Sequence, residues 1–106
     1  MKMHYDTGKR ELLILLDGEI DHHRSSLLRN EIDTALYAHM PSVLILDFRN
    51  VTFMDSSGIG LIMGRYKIIQ PMGGEIQIQN PSAYIGRVLR LAGMERLAKI
   101  SEGVSA

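Results

Sequence analysis

Cysteine is missing from the 106 residues, which excludes a disulfide scaffold, a thiolate nucleophile and any zinc site built on sulfur. Net charge is missing too. The 12 Lys and Arg balance 12 Asp and Glu, so no long-range field draws the chain toward nucleic acid or an anionic lipid surface. The longest apolar run, Leu12 to Leu16, falls far short of a bilayer span. No charged segment leading into an apolar stretch and a cleavage site opens the chain, so the expectation is a cytoplasmic protein. Internal repeats and low-complexity segments are absent as well. What remains is one domain over residues 1–106, long enough for one modest core.

The order of elements is legible from period and punctuation. Met1 to Tyr5 reads as an edge strand, turned by Asp6-Thr7-Gly8-Lys9 into the run Leu12 to Leu16. That run is apolar at every position, which predicts a central strand covered on both faces and ending at Asp17-Gly18-Glu19. Behind an Asp21 cap, Leu28, Ile32, Ala35 and Leu36 form one helical stripe from His22 to about His39. Pro41 stops that helix. Val43 to Phe48 is a second continuous strand, so strand, helix and strand predict a parallel crossover. A further helix is expected from near Ser57 to about Gln70, with Ile59, Ile62, Met63, Tyr66 and Ile69 at helical spacing. After a Gly73-Gly74 turn, Glu75 to Gln79 alternates as a strand with one wet face. Pro81 opens a helical run that closes at Gly93, Met94 to Ile100 allows a turn of helix and a last short strand, and Ser101 to Ala106 reads as a loose tail.

The stretch around which all this is arranged is Leu44 to Lys67, where an apolar strand runs through Asp55-Ser56-Ser57-Gly58 into a helix. A helix start presents unpaired N–H groups and the positive end of the dipole, so it accepts an anion. The plainest reading of Asp55-Ser56-Ser57 is capping, since Asp and Ser are preferred caps worth about 1 kcal/mol. Capping leaves the second serine and the glycines unexplained. Gly58, Gly60 and Gly64 each cost about 1 kcal/mol inside a helix, so close packing on the sheet or close approach by a ligand or partner is expected to compensate.

Catalytic readings fare poorly. Neither serine has the glycines of a nucleophile elbow, and no Lys follows either serine by three residues. The Walker pattern is absent, and Gly58 to Gly64 misses the dinucleotide spacing by one residue. His22 and His23 are adjacent rather than four apart, so no metal site is expected. If the strands before Asp21 and Asp55 are parallel, both carboxylates emerge at the same end of the sheet, beside the serine pair.

Taken together, Gly18-Glu19-Ile20-Asp21-His22-His23, Phe53 to Gly60 and Gly64-Arg65-Tyr66-Lys67 resemble the sporulation anti-sigma-factor antagonists of endospore-forming bacteria, a family of STAS-domain proteins. The likeness runs through nearly the whole chain, although relatives usually carry a further helix beyond Ile100. It implies an α/β fold with a mixed sheet of four or five strands and helices packed against it, and no enzyme activity. It also implies a partner that is both anti-sigma factor and serine kinase and that uses ATP, while the chain itself needs no cofactor. A serine phosphatase reverses the modification, and neither nucleic acid nor a membrane is contacted. The residue phosphorylated in the family is the first serine of Asp-Ser-Ser-Gly, which is Ser56. The partner-binding residues implied are Asp21, His22, Asp55, Ser57, Gly58, Ile59, Gly60 and Arg65, with Ser57 more a cap than a target. Two other readings fit the same sequence: a nucleotide-binding STAS domain with weak GTPase or ATPase activity, and an antagonist from a stress-response partner-switching system.

Overall fold

The computed structural model describes residues 1–101. Strands β1 (Lys2–Asp6) and β2 (Glu11–Ile20) form the antiparallel hairpin, closed by a bond from the Lys9 amide to Asp6 Oδ1 of 3.1 Å. From there strands and helices alternate: α1 (His22–His39), β3 (Val43–Met54), α2 (Ser56–Ile69), β4 (Glu75–Gln79), α3 (Ala83–Leu91) and β5 (Ala98–Ser101). The sheet has the order β1-β2-β3-β4-β5, with every pair after the first parallel.

That order decides where the helices go. Each crossover steps to the next strand in the same direction, and right-handed crossovers then put all the helices on one face. One core cluster accordingly joins Leu12, Ile14 and Leu16 of β2 and Leu44, Leu46 and Phe48 of β3 to Leu28, Ile32 and Leu36 of α1. Ile62 and Ile69 of α2 and Ile85 and Leu89 of α3 complete it.

The other face overturns one expectation. Leu13 and Leu15 are only half-buried, so β2 is central in the sheet but not covered on both sides. Their neighbours on that face are His4 and Lys2 across the hairpin and Ile45 and Asp47 on β3, and Ile45 is buried without joining the main cluster. Asp47, itself buried, holds this face together at its centre: its carboxylate accepts bonds from the Arg49 amide and guanidinium and from Asn80 Nδ2. Burial alone would raise the Asp47 pKa, but these bonds outweigh it and hold the carboxyl below its ordinary value.

Other boundaries moved for local reasons. β2 does not stop at Asp17-Gly18-Glu19 but runs on to Ile20, because irregularities after Leu15 and after Gly18 absorb those residues within the ladder. β3 likewise continues past Phe48 to Met54. Ser82, not Pro81, caps α3, its Oγ accepting from the Ile85 amide at 3.2 Å, and Gly93 follows that helix in the left-handed conformation. Ser101, expected in the tail, belongs to β5, and the rest of that stretch, 102–106, lies outside the described residues.

Candidate functional site

The long strands are what build the site. β3 pairs with β4 only as far as Asp47 and Gln79, whereas its pairing with β2 goes on to Ile20 and Met54. Beyond the body of the sheet, β2 and β3 therefore continue as a two-stranded parallel ribbon. At its tip Ile20 and Met54 lie side by side, each is followed by an aspartate, and the Asp55 amide donates to Ile20 O at 3.3 Å. The two carboxylates thus leave the same end of the sheet, as parallel strands require.

Both aspartates cap a helix. Asp21 and Asp55 have nearly the same extended backbone, φ −100° and ψ −175° against φ −100° and ψ −168°. Asp21 Oδ1 accepts from the Arg24 amide and Asp55 Oδ1 from the Ser57 amide, each at 2.8 Å. Ser57 is therefore not the cap that was expected. It supplies the N–H, and the aspartate two residues earlier, still extended, supplies the oxygen. Helix α2 begins one residue before the expected start, at Ser56, and Ser56 is exposed. Its hydroxyl stands on the positive end of the helix, where a phosphate dianion is favoured by about 0.3–1 kcal/mol.

The three glycines divide. Gly58 is buried, and a methyl group there would overlap the Met54 side chain, so close packing of α2 on β3 explains it. At Gly60 and Gly64 a Cβ would meet nothing within 4 Å. Packing within the chain does not account for them.

They open instead onto a pocket of about 290 Å³ between α1 and α2. On α2 its wall is Ser57, Gly60, Leu61, Gly64 and Arg65, and on α1 it is His22, Ser25, Ser26 and Arg29. Arg65 is only 4% exposed. Its Nε lies 2.7 Å from Asp33 Oδ1, without the alignment of a hydrogen bond, and its Nη1 has no hydrogen-bond partner among the described residues. Burial holds the Arg65 pKa below the ordinary guanidinium value against the opposing pull of Asp33, and the nearby positive charge of Arg29 lowers it further.

The residue expected to be phosphorylated, Ser56, and those expected to bind a partner are therefore spread over three settings. Ser56, His22 and Gly60 are exposed, and Asp21, Asp55, Ser57 and Ile59 are half-buried around them. Gly58 and Arg65 are buried, Gly58 against Met54 and Arg65 in the wall of the pocket. Phe53 and Met63, 42% and 41% exposed, add apolar surface on the ribbon and on α2. Sequence reasoning missed Ser25, Ser26 and Arg29. A signal for them existed: 57, 60, 61, 64 and 65 on α2 and 22, 25, 26 and 29 on α1 each follow helical spacing, so each set shares one face.

Three comparisons bear on this arrangement. The STAS domain model matches residues 3–106. An anti-sigma F factor antagonist from Paenibacillus polymyxa is 37% identical over 89 residues, covering 84% of this chain and 76% of that protein. The structure of the anti-sigma factor antagonist SpoIIAA in its unphosphorylated form superposes with a TM-score of 0.81 at 30% identity, over 93% of this chain and 85% of that one. The phosphorylated form of SpoIIAA, described as a Bacillus cell fate determinant, gives 0.73 at 30% identity, over 93% and 88%. With its five-stranded mixed sheet, its helices on one face and its Asp-Ser-Ser-Gly helix start, the chain belongs to the STAS-domain family of anti-sigma factor antagonists.

Proposed function

We propose that the unphosphorylated chain captures an anti-sigma factor that is also a serine kinase and so frees a sporulation sigma factor. Phosphate on Ser56 ends the capture, and a serine phosphatase restores it. The observation that carries this reading is the exposed Ser56 at the first position of α2, next to an aspartate that already caps the helix. Because Asp55 holds the helix start, the Ser56 hydroxyl has no structural duty there, and a phosphate can be added while the domain stays folded. That SpoIIAA, 30% identical, is described in both unphosphorylated and phosphorylated forms supports the same switch here.

The mechanism is electrostatic and steric. The new dianion stands beside Asp55, near Asp21, on a surface whose apolar contacts are Ile59, Met63 and Phe53. A docked kinase must desolvate that surface, and it would meet about 1.5–2 added negative charges at the centre of the contact. The chain performs no catalysis in this scheme and needs no cofactor. The kinase uses the ATP, and the exchange takes place in the cytoplasm.

Incubation with a candidate anti-sigma kinase and ATP, followed by mass-spectrometric mapping, tests the reading. One phosphate on Ser56, and none on the Ser56→Ala variant, is the expected result. Phosphate on Ser57 instead, or on neither serine with an active kinase, refutes it.

A further inference from the structure

We propose that β1 is an interaction surface for a second copy of this chain: two copies pair antiparallel through their β1 strands, about a two-fold axis at His4, and their sheets become one. The edge itself comes first. β1 pairs with β2 alone and lies at the end of the sheet, so its outer N–H and C=O groups have no strand beside them. Its register against β2 is unbroken from Lys2 to Asp6, it contains neither proline nor glycine, and Lys2, Met3 and His4 are exposed, Met3 to 39%. Such an edge is a template for another strand.

Charge is unbalanced along this edge. Lys2, His4 and Asp6 stand opposite Leu15, Leu13 and Glu11 of β2, and so share the face of the sheet turned away from the core cluster. At one end Asp6 and Glu11 are like charges directly across the ladder, an arrangement that costs stability, and neither has an ion pair among the described residues. At the other end Lys2 faces Leu15, and its ammonium has no ion pair among them either. Within one chain the cation and the two carboxylates are held a strand's length apart.

One register joins them. With His4 on the axis, Lys2 of each copy stands opposite Asp6 of the other, with Glu11 alongside, and Met3 stands opposite Tyr5. No other antiparallel pairing of β1 with itself sets opposite charges directly across from each other. β5, the other edge, has no such match, since Lys99 is its only charged residue. A two-fold contact also closes on itself and makes a dimer, not a fibre. The strand is ordered in advance as well. The Met1 amine lies 2.9 Å from Asp17 Oδ2 before it, the Lys9 amide bonds Asp6 Oδ1 after it, and the Tyr5 ring stacks on His39 with centroids 4.2 Å apart. Pairing therefore costs little further ordering, and Asp6 Oδ2 is left for Lys2 of the second copy. The inference does not rest on the kinase reading, because Ser56 opens α2, which links β3 to β4 and not β1 to its neighbour.

Sedimentation equilibrium of the unphosphorylated chain, from about 10 µM to about 1 mM to suit so short a contact, measures the association. A monomer–dimer equilibrium is expected. Lys2→Asp sets carboxylates against carboxylates and should weaken the dimer about tenfold or more, and combining it with Asp6→Lys should restore it. Asp6→Lys also removes the bond to the Lys9 amide, so circular dichroism checks that each variant is folded. ¹⁵N NMR of the parent chain on dilution reads the contact without any substitution: amide shifts are expected at Lys2–Asp6 and not at residues 56–60. A monomer throughout the range, growth beyond a dimer, or association untouched by Lys2→Asp overturns the proposal. So does a folded double variant that stays monomeric, or dilution shifts confined to another element.

Discussion

The starts of α1 and α2 follow one plan. An extended strand residue, Ile20 or Met54, leads to an aspartate with almost the same backbone angles, and that aspartate caps the helix through one oxygen at 2.8 Å. They differ in what comes next. The first helical residue is His22 in one and Ser56 in the other, and α1 contains no glycine while α2 contains three. The comparison separates two jobs that the sequence Asp-Ser-Ser merges. The aspartate holds the helix, and the residue after it is free to carry chemistry.

The largest expected effect falls on that free position. Ser56→Ala should bind the kinase and escape phosphorylation, whereas Ser56→Asp should bind two to three decades more weakly, about 3–4 kcal/mol. The matching change on the other helix, His22→Asp, adds a charge at the equivalent position of α1 and should weaken binding less. Surface plasmon resonance against the immobilised kinase measures all three, and equal affinity for the two Ser56 variants would contradict the switch.

Next come the caps. Asp21→Ala and Asp55→Ala should each cost about 1 kcal/mol, lowering the melting temperature by about 4–8 °C. Ser57→Ala should change it by less than about 0.5 kcal/mol, because that residue contributes its amide and not its hydroxyl to the cap. Thermal unfolding followed by circular dichroism checks the set, and a Ser57→Ala loss as large as that of Asp55→Ala would return the cap to the serine.

The glycines sharpen the contrast from the opposite direction. Gly60→Ala should stabilise the chain by about 1 kcal/mol, since the new methyl meets nothing within 4 Å and the helix gains propensity. A rise in melting temperature together with weaker capture of the kinase is expected from unfolding and pull-down on the same protein. A fall in melting temperature would mean that packing, as at Gly58, is what Gly60 serves.

Much of this was legible in the sequence, and the failures have physical causes. The bounds of α1 from His22 to His39 follow from a strong apolar stripe between an Asp and a Pro, signals that act locally. The ends of β2 and β3 were not legible, because Asp17-Gly18-Glu19 and Arg49-Asn50 carry turn chemistry, and only pairing between the two strands keeps them extended. The half-exposure of Leu13 and Leu15 follows from strand order, which no local pattern encodes. At the site, the serine and both aspartates stand out as residues, while the pocket needs two helix faces to meet across a gap, with Arg29 and Arg65 on opposite sides of it.

The smallest expected effect lies at the root of α1, where the two helix starts differ once more. Arg24 in the first turn of α1 donates to Asp17 Oδ1 at 2.7 Å and so ties the helix back to β2, and the amino group of Met1 approaches the other oxygen at 2.9 Å. The hydrogen bond from Arg24, seconded by that amine, holds the Asp17 carboxyl below its ordinary value of 3.8. A carboxylate with a lowered folded-state pKa adds stability above its unfolded value and loses it as the pH falls through the folded one. The loss should therefore begin near pH 4, and it should be small, because Asp17 is half-exposed and such pairs contribute about 0.2–1 kcal/mol. Arg24→Gln should lower stability at neutral pH and reduce, without removing, the fall on acidification, since the amine and the Asp47 network remain. Unfolding measured between about pH 7 and pH 3 tests this. A variant curve parallel to that of the parent would show that α1 is held at its start by the Asp21 cap alone, as α2 is by Asp55.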